Sequence, residues 1–282
     1  MTAASSWLDH VGLIVRDLRE AHDVMAALGF DLTARAEHTM TTADGRVVPA
    51  GSAQHAIMLA HGYIELMQIT DPTAGHQLAA APQTRFGLHI LALGCADAPA
   101  SHARFTAQGL PVGPIRRWAR QVQEPDRQGL ARFVYFDAPW TPQDPSYLCW
   151  VQHLTPELMR ASRAPVHPNG AVAVRGIRYA GPPAQAAAWQ DRLQRLEIGS
   201  PAAPGSGGLD LGATRLTMAG DANRTALAPD LLEIGTSAVG LVAERARRLG
   251  LATDLLADGG VLLDLQGTLG IRLQFTPQTA AG

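Results

Sequence analysis

The chain has 282 residues, enough for two domains of ordinary size with a substantial buried core. Apolar residues make up 46% and charged residues 17%, which excludes a disordered chain. The formal net charge of -2 gives no bulk attraction to nucleic acid or to anionic lipid, so neither is expected as a partner.

The start, "MTAASSW", lacks the basic and apolar regions of a signal peptide. No run approaches the ~18 apolar residues that span a bilayer. The two cysteines, Cys95 and Cys149, form no CxxC pair and suit a reducing compartment. A cytoplasmic protein is expected.

In chain order, Leu8 to Val15 reads as a strand carrying His10 among apolar neighbours. A helix follows in "LREAHDVMAALGF", with Leu18, Ala21, Met25 and Leu28 at helical spacing and Gly29 as terminator. A strand is expected from Asp31 to His38, then the strands "AQHAIMLA" and "YIELMQIT", turned by His61-Gly62. The order is βαβββ. It recurs from "FGLHILAL" through the helix "APASHARFTAQGL" to the strands "IRRWARQV", "LARFVYFDA" and "SYLCWVQHL". Two fainter copies begin at "VRGIRYAG" and "LLEIGTSA". The basic run "ERARRLG" is expected on a solvated helix face. The fold class is therefore α+β, built from tandem βαβββ modules, four in number, the last two divergent. A domain boundary is placed at 160–170, giving domains 1–160 and 171–282. "SPAAPGSGG" is read as a loop inside the second half.

Laying "LDHVGLIV" over "GLHILALG" puts His10 on His89, and laying "YIELM" over "WVQHL" puts Glu65 on Gln152. Two such units curled into one half-open barrel would bring His10, Glu65, His89 and Gln152 to one cleft. Two imidazoles, a carboxylate and an amide oxygen suit a divalent first-row metal. Another register offers Cys149 or His153 in place of Gln152. His55, Trp150 and His153 are further candidates for the pocket wall, and His38 and Tyr147 fall near enough to line it, with the face each takes left open. Ser or Cys nucleophile motifs are absent.

The motifs "LDHVGLIVRDL", "GYIEL" and "GLHILAL", in this order and register, resemble the vicinal oxygen chelate superfamily, most closely its glyoxalase-like branch. The resemblance is good over Trp7 to Ala171 and faint beyond. It implies two glyoxalase/dioxygenase-like half-barrel domains, the second without metal ligands. It also implies a divalent metal (Zn, Ni, Mn or Fe) on His10, Glu65 and His89, with Gln152 where a Glu is usual.

Three functions follow from the resemblance. The first is a metal-dependent lyase or isomerase of glyoxalase or epimerase type, stabilising an enediolate of a small oxygen-rich substrate, with Glu65 as ligand and base. The second is an Fe(II) extradiol-type dioxygenase, because two His and one carboxylate match its ligand triad. The third is a metal-free protein that sequesters a small molecule, as bleomycin-resistance proteins do. A small-molecule substrate is the expected partner, with a second copy of the chain as a candidate for a homodimer.

Overall fold

A computed structural model of the chain describes residues 7–42, 44–159, 166–202 and 208–278. The core of the expected boundary, 160–165, and the middle of the "SPAAPGSGG" loop, 203–207, lie outside the described residues.

The first module comprises β1 (Trp7–Ile14), α1 (Leu18–Ala27), β2 (Ala36–Thr41), β3 (Val47–Met58) and β4 (Tyr63–Ile69). The second comprises β5 (Gly87–Gly94), α2 (Ala98–Ala107), β6 (Arg116–Glu124), β7 (Arg127–Asp137) and β8 (Tyr147–His153). Matching caps start the two helices. The Asp17 carboxylate accepts from the Arg19 and Glu20 N–H groups, and the Asp97 carboxylate from that of Ala100. Both helices run into a glycine of positive φ, Gly29 and Gly109.

The eight strands close into a barrel in the order β1-β4-β3-β2-β6-β7-β8-β5. Closure, rather than the half-open barrel expected, removes both free edges of this sheet. Strand alternation then gives each strand an inner and an outer face. Val11 and Leu13 of β1 look outward to the helices, whereas Ile14 packs inside.

A short helix α3 (Pro156–Met159) leads toward the second half, which repeats the pattern with fewer residues. Its third module is β9 (Ala171–Gly181), α4 (Pro183–Arg195), β10 (Ser200–Pro201), β11 (Leu209–Leu211) and β12 (Thr214–Gly220). The fourth is β13 (Ala228–Thr236), α5 (Val239–Arg248), β14 (Thr253–Leu255), β15 (Val261–Leu265), α6 (Gln266–Leu269) and β16 (Ile271–Pro277). These eight strands form one sheet, ordered β10-β11-β12-β9-β13-β16-β15-β14, which ends in short edge strands.

The halves share one apolar core, running from Val11 and Leu28 in the barrel to Leu232 and Phe275 in the second sheet. His167 fastens them: its Nδ1 accepts from the Asp31 N–H at 3.0 Å and its Nε2 donates to the Met58 carbonyl at 2.7 Å. At another seam, backbone meets backbone. A Cβ added to Gly270 would lie 2.4 Å from the Phe86 carbonyl carbon and 2.5 Å from the Gly87 nitrogen. Gly270 also has φ 70°, which a side chain disfavours.

Gly270→Ala is therefore expected to destabilise the protein by about 2 kcal/mol or more, lowering Tm by roughly 5 °C in thermal unfolding. Gly240→Ala serves as the control. It sits in α5 with nothing within 4 Å of its added Cβ, and should leave Tm unchanged or raise it slightly.

Candidate functional site

Register decides what faces the barrel interior. In the first module His10 pairs with Tyr63 and Gly12 with Glu65. In the second, Ile90 pairs with Tyr147 and Ala92 with Cys149. The two modules are thus related by 80 residues in their first strand and helix, as the caps Asp17 and Asp97 mark, and by 84 in their last strand. His10 corresponds to Ile90, and Glu65 to Cys149.

This overturns the placement of His89 and Gln152 beside His10. The pairing of β1 with β5 shifts between Gly12/Ile90 and Leu13/Leu88, so His89 falls in a bulge while Ile90 takes the inward position. His89 is buried, its Nδ1 donating to the Gly87 carbonyl at 3.0 Å, and its Nε2 has no partner among the described residues. Gln152 lies outside the interior, where its Oε1 accepts from the Ala98 N–H at the start of α2. Trp150 is core, stacked on Phe136 at 5.1 Å. His55 bonds the Thr33 carbonyl and does not line the interior. His153 lies at the barrel mouth, and Cys149, offered by the alternative register, is the residue that does face inward.

The interior holds a cavity of about 90 Å³ built around Glu65. His10 and Glu65 meet there as expected, with Nε2 and Oε2 4.0 Å apart. The second imidazole is His38 of β2, whose Nε2 lies 3.3 Å from Glu65 Oε1. The outer nitrogen of each ring is taken. His10 Nδ1 donates to Asp9 Oδ2 at 2.7 Å, and His38 Nδ1 lies 2.8 Å from the buried Ser52 hydroxyl. Asp9 is itself held from the other side, accepting from His153 Nε2 at 2.8 Å. In the amide orientation that satisfies both neighbours, Gln54 donates to Glu65 Oε1 at 2.7 Å and accepts from Arg120 Nε at 2.8 Å.

Burial alone would raise the Glu65 carboxyl. The hydrogen bond from His38, with the charges of His38, His10 and Arg120, outweighs it and holds the group down to about 2. Asp9 follows the same logic: burial opposes its charge, yet the hydrogen bonds from His10 and His153 keep its carboxyl well below the usual range. Burial, with the nearby charge of His38, pushes His76 down to about 3, so this imidazole is neutral. Its Nδ1 accepts from the Leu78 N–H, which leaves Nε2–H as a donor. Burial raises the Cys149 thiol well above its ordinary value, so it stays protonated.

Among the described residues no group of three or more His, Cys, Asp or Glu side chains forms a ready metal-holding cluster. Glu65 is instead taken up by hydrogen bonding from His38 and Gln54. The chemistry of the donor set nonetheless fits a divalent ion, with two imidazole Nε2 atoms and one carboxylate in a single cavity and both outer nitrogens engaged.

A protein-family profile described as a glyoxalase-like domain matches residues 8–196, reaching past the first two modules into α4. The chain belongs to the glyoxalase-like domain family. It is thereby a vicinal oxygen chelate protein, and its mixed α+β fold of two eight-stranded sheets agrees with that membership. No curated protein matches it. Among solved structures, a hypothetical protein from Staphylococcus aureus is similar over 96% of this chain and 99% of its own, with TM-score 0.61 and 11% identity. A mutant 4-hydroxymandelate synthase from Streptomyces coelicolor aligns over 99% of this chain and 94% of its own, with TM-score 0.56 and 12% identity. At these identities the likeness is one of fold. No helix among the described residues of this glyoxalase-like protein is long and apolar enough to cross a membrane.

The sequence puts His38 near the pocket without settling which way it faces, because β2 was expected to end there, whereas it spans Ala36–Thr41. The shared 80-residue interval between the capping aspartates was the signal that would have set the second module's register.

Burial and the Arg85 charge push His89 down to about 3, as burial and His38 do for His76. Between pH 6.5 and 3 the unfolded chain binds protons on these rings that the folded chain refuses, so stability rises with pH across that window. Glu65, folded at about 2 against an ordinary 4.5, adds a contribution of the same sign between pH 4.5 and 2. Tm should therefore fall as pH is lowered from 7 to 4, and His89→Gln or His76→Gln should each flatten that slope. A parent Tm constant from pH 7 to 4 would contradict the assignment.

Proposed function

We propose that this protein is a divalent-metal-dependent enzyme of glyoxalase or epimerase type, with lyase or isomerase chemistry on a small oxygen-bearing substrate. What carries the reading is the pair His10 and His38. Each has its Nδ1 engaged, by Asp9 and by Ser52, and each turns its Nε2 toward the buried Glu65 carboxylate. Ligating imidazoles are ordinarily oriented by such partners on the outer nitrogen. His10, His38 and Glu65 would hold the metal, with His38 in the place expected for His89. Bound there, a metal supplies Lewis-acid stabilisation of negative charge developing on substrate oxygen.

The chain's own groups do the rest. Neutral His76 offers Nε2–H to a substrate oxygen without carrying a charge that would repel the ion. Gln77 donates to the hydroxyls of Tyr135 and Tyr147 at 2.8 and 3.1 Å, fixing one end of the cavity. Trp118, Phe133 and Ile90 supply apolar walls that keep water out and strengthen the electrostatics within. A carboxyl held at about 2 is a weak proton acceptor near neutrality, which favours Glu65 as ligand over Glu65 as base.

A second reading rests on the same three side chains. Two imidazoles and one carboxylate also match the triad of non-haem Fe(II) oxygenases. Oxygen uptake with catechols by the Fe(II)-loaded protein would select that reading over the first.

Metal analysis of protein purified without chelator and then loaded with Zn, Ni, Mn or Fe tests the site. One ion per chain is expected, lost in His10→Ala with His38→Ala and in Glu65→Gln, and kept in His89→Ala and Gln152→Ala. Loss in His89→Ala with retention in His38→Ala would overturn the assignment. Absence of metal from parent and variants alike would leave the sequestering protein as the better reading.

A further inference from the structure

The interior cavity, about 90 Å³, is walled on its sides by hydrogen-bonded strands and closed at its ends by side chains. At one end stands Tyr63, stacked on His10 with ring centroids 4.4 Å apart. Beyond it lies a cleft of about 750 Å³ between the barrel and the second half. The other end is covered by the connection from β4 to β5, which sets His76, Gln77 and Leu78 on the cavity.

That connection is held down unevenly. Its start is fixed where the Thr70 and Asp71 N–H groups donate to the Gly51 carbonyl at 2.9 and 3.1 Å. Its finish is fixed by Arg85, which donates to the Leu88 and Pro145 carbonyls. Between these anchors every backbone hydrogen bond among the described residues stays within the connection, as from the Ala79 N–H to His76 and the Ala81 N–H to Leu78. Side chains alone tie its middle to the barrel. Gln77 Nε2 donates to the Tyr135 and Tyr147 hydroxyls at 2.8 and 3.1 Å, and Tyr147 is braced in turn by donating to Asp137 at 2.9 Å. Leu78 and Ala81 pack with these tyrosines, Ile90 and Cys149 in a small apolar cluster apart from the core that the two halves share. Gly75 is exposed at φ 86°, and an added Cβ there would meet only the Met40 methyl, at 4.0 Å, so the chain has room to turn. Self-contained backbone bonds and a small satellite cluster mark a segment that opens while the rest stays folded.

We propose that residues 72–84 form a gate to the barrel interior, latched by Gln77 on Tyr135 and Tyr147. The gate swings between its anchors at Gly51 and Arg85, lifting His76 and Leu78 off the cavity while the strands stay paired. A small ligand enters from the end remote from the second half, and the Tyr63 end stays shut. The gate works whatever the ligand is and does not rest on the metal-dependent reading.

Cys149 reports the opening, because its buried thiol lines the cavity and packs in the cluster with Leu78. In a Cys95→Ser background it is the chain's single thiol. Labelling with methyl methanethiosulfonate, read by mass spectrometry, is run beside amide hydrogen exchange on the same full-length protein. Cys149 should label far more slowly than a free thiol, yet faster than global unfolding allows, and amides of 72–84 should exchange together ahead of the strands. Gln77→Met keeps the side-chain length and removes the donor. It should raise both the labelling rate and the exchange of 72–84 on the order of tenfold, through the loss of two neutral hydrogen bonds, with exchange in β1, β4 and β5 unchanged. Gly75→Ala, which strains the closed hinge without touching the cavity, should act in the same direction. Parent labelling at the free-thiol rate would mean an interior already open; labelling only at the rate of global unfolding would mean no gate. Either result overturns the proposal, as would faster labelling in the variants without faster exchange of 72–84, or no change in both variants.

Discussion

The structure turns on one desolvated carboxylate. Glu65 sits inside a closed barrel where an isolated charge would cost many kcal/mol, and nearly every polar choice around it answers that cost. His38 and Gln54 contact it directly, Arg120 acts through Gln54, and His10 faces its other oxygen. Those groups need support in turn, and Ser52, Asp9 and His153 supply it. The network crosses the barrel wall at Asp9, where one carboxylate joins an imidazole facing the interior to one facing the cleft. A barrel meant only to be stable would fill this volume with leucine and isoleucine, as it does at Ile14 and Ile90.

How much of this could be read from residues alone depends on which physical signal carried each piece. The βαβββ repeat was readable because helix caps, glycine terminators and alternating strands are local. His10 and Glu65 were readable because a polar residue within an apolar strand is conspicuous. The partner positions were not, because strand register is a long-range property and a slip of one residue exchanges the two faces. His89 shows this well. It looks like an echo of His10, yet a bulge in β5 turns Ile90 inward in its place. His38 stood near the end of an expected strand, and nothing nearby marked it as inward. His167, in the loop before β9, has both nitrogens bonded across the seam of the molecule.

The second half resembles the first in element order while differing in what its inner face carries. Asp230 there gathers Arg178, Arg224 and Arg272, an ion-pair cluster that satisfies a buried acid with cations and leaves no neutral imidazole poised for chemistry. The contrast shows one architecture solving the same problem, a carboxylate on a sheet, in two ways. Guanidinium groups hold the second sheet together. Imidazoles in the barrel hold a charge that can be shared with a ligand.

The contact of Gly270 with Phe86 and Gly87 has a consequence for how the chain is made. The strand β5 at that seam leaves the ribosome long before its partner from the far end of the chain exists. At ~5–20 residues per second, some 180 residues of synthesis separate them by roughly ten to forty seconds. Through that interval the outward apolar faces of β1 and β5, which the finished protein covers in a shared core, have part of their cover missing. A nascent chain of this design depends on its helices, or on a chaperone, to shield those faces until the last strand arrives.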